Sequence, residues 1–562
     1  MKKNYNLFFG IFLICQLFIA IPSYAQNWLW AISAGQTGDD VSYSVATDKN
    51  GNVYITGYFK SSTISFGNIT LFNAGNADIF VVKYDSNGNV IWARSAGGTD
   101  EDVSYSIATD NSGNVYITGY FRSNSITFGA NILTNSNTDG SADIFLVKYD
   151  TNGNVIWVRS ADGASIVYGN SVATYNNSYV CITGRYWGNT ITFGSYTLTN
   201  NGGYDIFLVK YDSLGTVMWA KSFGKYDHDE GYGVTTDKNA NIFLTGTYMS
   251  NSITFGSFTL NNLSTSMSDI FIVKCDSLGN IIWANNIGGT SVDELTNNSI
   301  ATDDSNNVYI TGFFSSNTIT LGTNTLTNMG GNDFFIAKFN QYGDVKWARS
   351  AGGSDWDEGK GVSIDKKGNV WVSGFYGSPS ITFGSTTLPS AGTNDLFIVQ
   401  YDSIGTVKWA DRVGISGPEI SYDLVTDIND DVYVTGSIAT GIVSFGPYSI
   451  NNSSSGSNAF LAKLSKAVSI SEFDAYKPYI LTYPNPSDGK FIIKIINNNT
   501  VINNLSVEIY NIYGEKVYST LKLNPSSESE WSLDVSNLET GIYFLNAHTQ
   551  KENISSVIEI TK

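Results

Sequence analysis

The sequence is short of the residues on which most enzymes rely. Its 562 residues include two histidines, three cysteines and nine prolines. No Cys/His spacing suggests a zinc site. His228 is the one histidine before His548, and no Gly-x-Ser-x-Gly elbow accompanies it, which argues against a Ser-His-Asp triad. The glycines punctuate turns and none precedes a Lys-Ser/Thr helix start, so no phosphate loop is present. Basic residues are also scarce, 32 Lys and Arg against 50 Asp and Glu. So acidic a chain is a poor partner for nucleic acid or an anionic membrane.

Long apolar runs are absent beyond the N-terminus, and none there can cross a bilayer. At the start, Lys2 and Lys3 precede a mostly apolar stretch, Leu7 to Ile21, and Ser23-Tyr24-Ala25 follows as a small-x-small step. Residues 1–25 read as a secretory signal peptide cleaved after Ala25. A membrane anchor is the alternative, disfavoured by the short run and the cleavage step. Loss of Lys2 and Lys3 takes the formal charge from −18 to −20. Cys15 leaves with the leader. Cys181 and Cys275 replace tyrosines at different repeat positions and are expected as two separate buried thiols.

What the sequence has is strand and turn formers. Aromatic residues make up 14%, beside 55 glycines and abundant Val, Ile and Thr, which sets an all-β expectation. A unit recurs, marked by Trp at 28, 92, 157, 219, 283, 347 and 409. Within one unit, Ser104–Asp110 and Val115–Gly119 alternate as strands about the turn at 111–114. Ile126-Thr-Phe-Gly129 with Ile132–Thr134 follows, then Asp143–Asp150 and, past Asn152-Gly153, Val155–Trp157. The period of two marks strands, and the Asn/Asp-Gly pairs mark hairpin turns. Trp28 has no strand before it to pair with, and the last unit, ending at Leu464, has no Trp strand after it. A linear array would leave both edges open. A ring closes them, the N-terminal strand completing the last blade. The expectation is a seven-bladed β-propeller over residues 26–465, with four-stranded blades and an added β-arm between the second and third strands.

These runs, such as Asn114-Val-Tyr-Ile-Thr-Gly119 and Asp303-x-x-x-Asn307-Val-Tyr-Ile-Thr-Gly312 after an acidic Gly-rich loop, resemble the bacterial β-propeller repeats called SBBP repeats. The resemblance covers about residues 27–465 and implies a propeller without a single associated activity. The third unit departs from it, with Tyr175 at the turn Asp and Tyr179 at the usual Asn.

Past a polar linker at 466–478 the period stops. Tyr483-Pro-Asn-Pro486, Val507–Asn511, Gly514–Val517, Leu533–Ser536 and Gly541–Leu545 suggest a small Ig-like β-sandwich over 479–562. In this order the motifs resemble the type A C-terminal sorting domain of the type IX secretion system. That resemblance implies contact with the secretion machinery, export through the outer membrane, and removal of the tail with attachment to surface lipopolysaccharide. An ordinary Ig-like adhesive module is the alternative.

The loops after the Trp strands are often acidic: Asp39-Asp40, Asp100-Glu101-Asp102, Asp227-His228-Asp229-Glu230, Asp293-Glu294, Asp355-Trp356-Asp357-Glu358 and a lone Glu419, with no such cluster in the third unit at Ser165–Tyr168. In a propeller they gather on one face near the channel mouth. There Asp39, Asp40, Asp100, Asp102, Asp227, Asp229, Asp293, Asp355 and Asp357 could offer oxygens to Ca2+, or simply form a solvated rim. His228 and Trp356 break the repeat, as do Trp187 and its neighbour Arg185, so these four are the candidate ligand contacts. The reading is an exported binding or adhesion protein for a protein or glycan ligand, not an enzyme. A carbohydrate-active enzyme using channel-face carboxylates and a purely structural surface component are the alternatives.

Overall fold

The computed structural model describes residues 24–135, 140–163, 165–264, 266–466, 468–469, 479–496, 505–523, 530–548 and 553–562. The expected leader lies outside these residues except for Tyr24–Ala25, and so does the expected linker except for 466, 468 and 469. The chain divides into two compact units, one spanning Gln26–Val468 and one holding Ser469–Lys562.

Among the described residues of the first unit lie seven four-stranded antiparallel sheets. The first is built from Asp40–Thr47, Val53–Phe59, Asp78–Tyr84 and Val90–Ala96, in that order across the sheet. The leading strands of the other six are Asp102–Thr109, Ile166–Tyr175, Asp229–Thr236, Asp293–Thr302, Asp357–Ile364 and Glu419–Thr426. Each leading strand packs on the next, and the seventh packs on the first, so they line a closed ring. This is β-propeller architecture. The seventh sheet takes its outer strand from the N-terminus, where Trp28–Ala34 pairs antiparallel with Asn458–Leu464. A separate two-stranded arm lies between the second and third strands of each sheet, as Thr63–Phe66 with Ile69–Phe72 does in the first.

The two middle strands of each sheet are buried over most of their length because both faces meet neighbouring sheets, Trp187 at the end of one being exposed. The cluster of Tyr54, Val81, Trp92, Ile107, Ile117 and Phe145 fills one such gap, between the first and second sheets. The repeat tryptophans cross these gaps: the indole Nε1 of Trp92 donates to Thr151 O at 3.1 Å and that of Trp157 to Ser213 O at 3.2 Å. The N-terminal strand corrects the register read from sequence. Trp30, not Trp28, faces Lys463 as Trp92 faces Lys83, and Trp30 Nε1 donates to Ser86 O. Trp28 instead faces Leu464 and packs edge-on against Phe445.

Most units hold the turn after the leading strand through an Asp. Asp110 accepts from Asn114 and from Tyr116 and sits 3.9 Å from the buried Lys148. In the third unit Tyr175 stacks on Tyr179 at 5.1 Å, and Lys210 lies 3.7 Å from the Tyr179 ring. The ion pair is lost in the third unit, while the cation–π contact that Lys148 also makes with Tyr116, at 5.0 Å, is kept and is closer. Cys181 and Cys275 are free and buried, and both belong to the cluster between the third and fourth sheets.

The second unit has two antiparallel sheets, Tyr479–Tyr483, Lys490–Ile496 and Glu530–Asp534 in one, and Lys516–Leu523, Leu505–Tyr510, Gly541–His548 and Asn553–Ile560 in the other. They share one core around Trp531, Ile493, Val507 and Leu545.

Candidate functional site

The acidic loops divide into two kinds of residue. Asp40, Asp102, Asp229, Asp293 and Asp357 are fully buried at the start of the leading strands. Each accepts from a serine of its own sheet: Ser61 Oγ at 2.6 Å, Ser123 at 2.7 Å, Ser250 at 2.8 Å, Ser316 at 2.8 Å and Ser378 at 2.7 Å. Their carboxylates are spent on backbone and serine donors, so they act as staples. Their outer neighbours Asp39, Asp227 and Asp355 are exposed and Asp100 is half-buried. No three His, Cys, Asp or Glu groups among the described residues come together as a metal site. The carboxylates expected to gather for Ca2+ therefore stay apart, because the repeat assigns each to its own sheet.

Behind the staples sits a second set of buried acids at the head of the third strands. Burial pushes Asp78 and Asp333 up to about 6 and Asp205 up to about 7. Among the staples, burial pushes Asp102, Asp229, Asp293 and Asp357 up to about 6, and it pushes Glu419, the buried acid at the start of the seventh leading strand, up to about 7.

The ring breaks its symmetry one residue further in. The position after the staple holds Val41, Val103, Tyr168 and Ile420 in four sheets, but Glu230, Glu294 and Glu358 in the consecutive fourth, fifth and sixth. Each leading strand then bulges, as the register shifts show. The bulged residues are Tyr43, Tyr105, Tyr232, Lys360 and Tyr422, with Asn170 at the matching place in the third sheet. Tyr422, Tyr43 and Tyr105 meet edge to face at 4.9 and 5.3 Å, forming an aromatic arc opposite the glutamates.

The fifth sheet carries more than a bulge. Four residues, Thr296 to Ser299, stand between the paired Leu295 and Ile300, where two, Tyr43 and Ser44, stand between Ser42 and Val45 of the first sheet. Asn298 in this insertion has a φ of 64°. It accepts from Ser106 Oγ at 2.7 Å and from Ser171 Oγ at 3.3 Å, and donates to Tyr105 O at 3.1 Å. It thereby crosses the ring to the second and third sheets. Thr296 and Asn297 line a cavity of about 420 Å3 on one side, with Glu294, Glu358, Lys360, Tyr43, Tyr232, Tyr422, Phe313 and Trp356. Asn298 lines a second cavity of about 390 Å3, where Asp423 is buried. Around that end the Thr109, Thr174, Thr236 and Thr302 hydroxyls each donate to the carbonyl of the preceding sheet's Thr.

In the first cavity, Lys360 Nζ lies 2.8 Å from Glu358. Arg185 pairs with Glu230, which also accepts from Tyr232 OH at 2.6 Å. Ser268 Oγ donates to Glu294 at 2.9 Å. Burial first, and then Glu230 and Glu358, raise the Glu294 carboxyl above its usual value, against the Ser268 hydrogen bond and Lys360.

The four sequence-derived contact candidates fall into two places. Trp356 lines the cavity and is 60% exposed. Trp187, 49% exposed, packs edge-on against Tyr204, which also meets His228 and the Arg185 guanidinium. Arg185 links that cluster to the cavity through Glu230 and Tyr232. The bulged tyrosines, Lys360 and the Asn298 insertion were not among the candidates. A signal existed for the insertion: Asp293 to Thr302 is two residues longer than Asp229 to Thr236.

Residues 30–58 and 91–120 match the beta-propeller repeat family, and residues 481–561 match the secretion system C-terminal sorting domain family. The tail marks a type IX secreted protein, released or held at the cell surface. The chain is 26% identical to an uncharacterized WD repeat-containing protein of Acanthamoeba polyphaga mimivirus, over 74% of this chain and 36% of that one. It is 23% identical to the regulatory protein FlaEY of Caulobacter vibrioides, over 60% of this chain and 36% of that one. The chain thus spans about a third of the length of these curated relatives. Among solved structures, a Synechocystis apocarotenoid oxygenase matches at 9% identity and a TM-score of 0.30, over 71% of this chain and 95% of that one. A likeness of that size carries no argument about activity. No helix among the described residues is long and apolar enough to cross a membrane.

Proposed function

We propose that this secreted propeller-repeat protein is a seven-bladed β-propeller with an Ig-like tail that binds a glycan at one mouth of its channel, without cleaving it. The observation that carries this reading is the broken symmetry of the ring. A purely structural repeat has no reason to place Glu230, Glu294 and Glu358 on three adjacent sheets and apolar or aromatic residues at that position on the other four. The same half supplies Lys360, Asn297 and the exposed Trp356. Aromatic faces stack on the apolar face of a sugar ring, and carboxylates and amides bind its hydroxyls. The volume of about 420 Å3 falls within the range of small-ligand clefts, roughly 300–1,000 Å3. Lys360 and Arg185 hold two of the glutamates in ion pairs, an arrangement suited to binding more than to acid–base turnover.

The test is a glycan array probed with the secreted chain, with the same polymers assayed for cleavage. Binding without cleavage is expected, and Trp356→Ala abolishes it while leaving the thermal midpoint in place. Cleavage would make the protein a carbohydrate-active enzyme. Silence on every glycan would move the reading to a protein partner or a structural surface role.

A further inference from the structure

We propose that the sugar bound at this channel mouth carries a free amino group. The inference rests on the glycan reading above and adds the ligand's charge. Three carboxylates converge on this half of the ring, and two have protein cations within ion-pair distance. Lys360 is committed to Glu358 and Arg185 to Glu230. Glu294 has no ion-pair partner among the described residues; a serine hydroxyl is its one side-chain donor there. With Glu294 and Glu358 against Lys360, the cavity lining carries one net negative charge, and the carboxylate without an ion-pair partner, Glu294, is half-buried.

A ligand filling the cavity removes water from that carboxylate. A neutral sugar would leave it desolvated and unpaired, which costs several kcal/mol at full burial. An ammonium group restores the pairing with a charge-assisted hydrogen bond. The walls suit the same group. Tyr232, Tyr422, Phe313 and Trp356 line the same cavity as the carboxylate, and aromatic rings attract cations. Thr296 also lines the cavity, and its buried hydroxyl has no hydrogen-bond partner among the described residues. The raised carboxyl of Glu294 agrees with this picture, since a nearby cation would relieve it.

The experiment is calorimetric titration of the full secreted chain with four probes: glucosamine oligomers, N-acetylglucosamine oligomers, neutral glucose oligomers and oligolysine. Glucosamine oligomers are expected to bind about tenfold tighter than their N-acetylated counterparts, the size of one charge-assisted hydrogen bond. Glu294→Gln brings the two within about twofold of each other, whereas Glu294→Asp, which keeps the charge, keeps the preference. Should the Gln variant not fold, the Asp variant and the wild-type comparison still decide. Equal binding of acetylated or neutral oligomers overturns the amino-group inference and leaves the glycan site standing. Silence with all three sugars overturns both readings, and oligolysine binding in that case assigns the ammonium chemistry to a protein partner.

Discussion

Asn298 accepts a hydrogen bond from Ser106 Oγ at 2.7 Å across the ring, although 192 residues separate them in the chain. The contact joins the fifth sheet to the second, and Asn298 lines the second cavity. Asn298→Ala removes three hydrogen bonds and leaves the two serine hydroxyls without this partner. A loss of about 1–3 kcal/mol is expected by urea unfolding. Deleting Asn297 and Asn298 together restores the ordinary leading-strand length, and its expected cost is smaller because no strained φ remains.

The staple is the costlier element to break. Asp102 accepts from Gly98 N at 2.8 Å, Arg122 N at 3.1 Å, and Ser123 N and Oγ at 3.2 and 2.7 Å. Asp102→Ala leaves these buried donors unpaired and is expected to cost about 3 kcal/mol, read from the shift in denaturation midpoint. Asp102→Asn, which keeps an acceptor oxygen, costs less.

Acidification to about pH 5 is expected to stabilise the fold. Burial raises Asp78, Asp102, Asp229, Asp293, Asp333 and Asp357 from 3.8 to about 6. Between those values the native state binds more protons than the unfolded one, so stability falls as pH rises. The contribution is complete below the unfolded value and is lost as pH passes about 6. In Asp85 and Asp150 burial's upward push is outweighed by hydrogen bonds from Asn89 and Asn154, which hold these groups below 3.8. Their contribution is lost on further acidification. The thermal midpoint should therefore climb from pH 7.5 to pH 5 and fall again below about pH 4, as scanning calorimetry across this range would show. A midpoint that drops steadily from pH 7.5 to pH 5 would contradict the assignment.

Cys181 and Cys275 give a probe of opening between the third and fourth sheets. Both thiols are buried and burial pushes their pKa up, Cys275 to about 12 and Cys181 well above the ordinary value. A disulfide-exchange reagent at pH 8 should find no reactive thiol in the native mature protein and two in urea. Reaction in the native state at the reagent's mixing rate would mean that this gap opens without global unfolding.

The strands, the arms and the closure of the ring were legible in the chain's local pattern. Period-two alternation and Asn/Asp-Gly turns are local, and a unit that begins with an unpaired Trp strand and ends without one has few ways to satisfy both edges. Even so, local pattern misplaced the closing strand by two residues. Trp28 and Trp30 both fit the alternation, and pairing with Lys463 selects Trp30. The acidic loops were legible, but their division of labour was not. Asp357 and Glu358 are neighbours in the chain, yet one is tied to a serine of its own sheet while the other faces the cavity beside Lys360. The site exists only in the closed ring, because it joins Glu294, Thr296, Asn297 and Phe313 of the fifth sheet and Glu358 and Lys360 of the sixth to Tyr43, Tyr232 and Tyr422 of three others. Tyr43, Glu294, Trp356 and Tyr422 come together through closure of the ring, and no spacing along the chain records that distance.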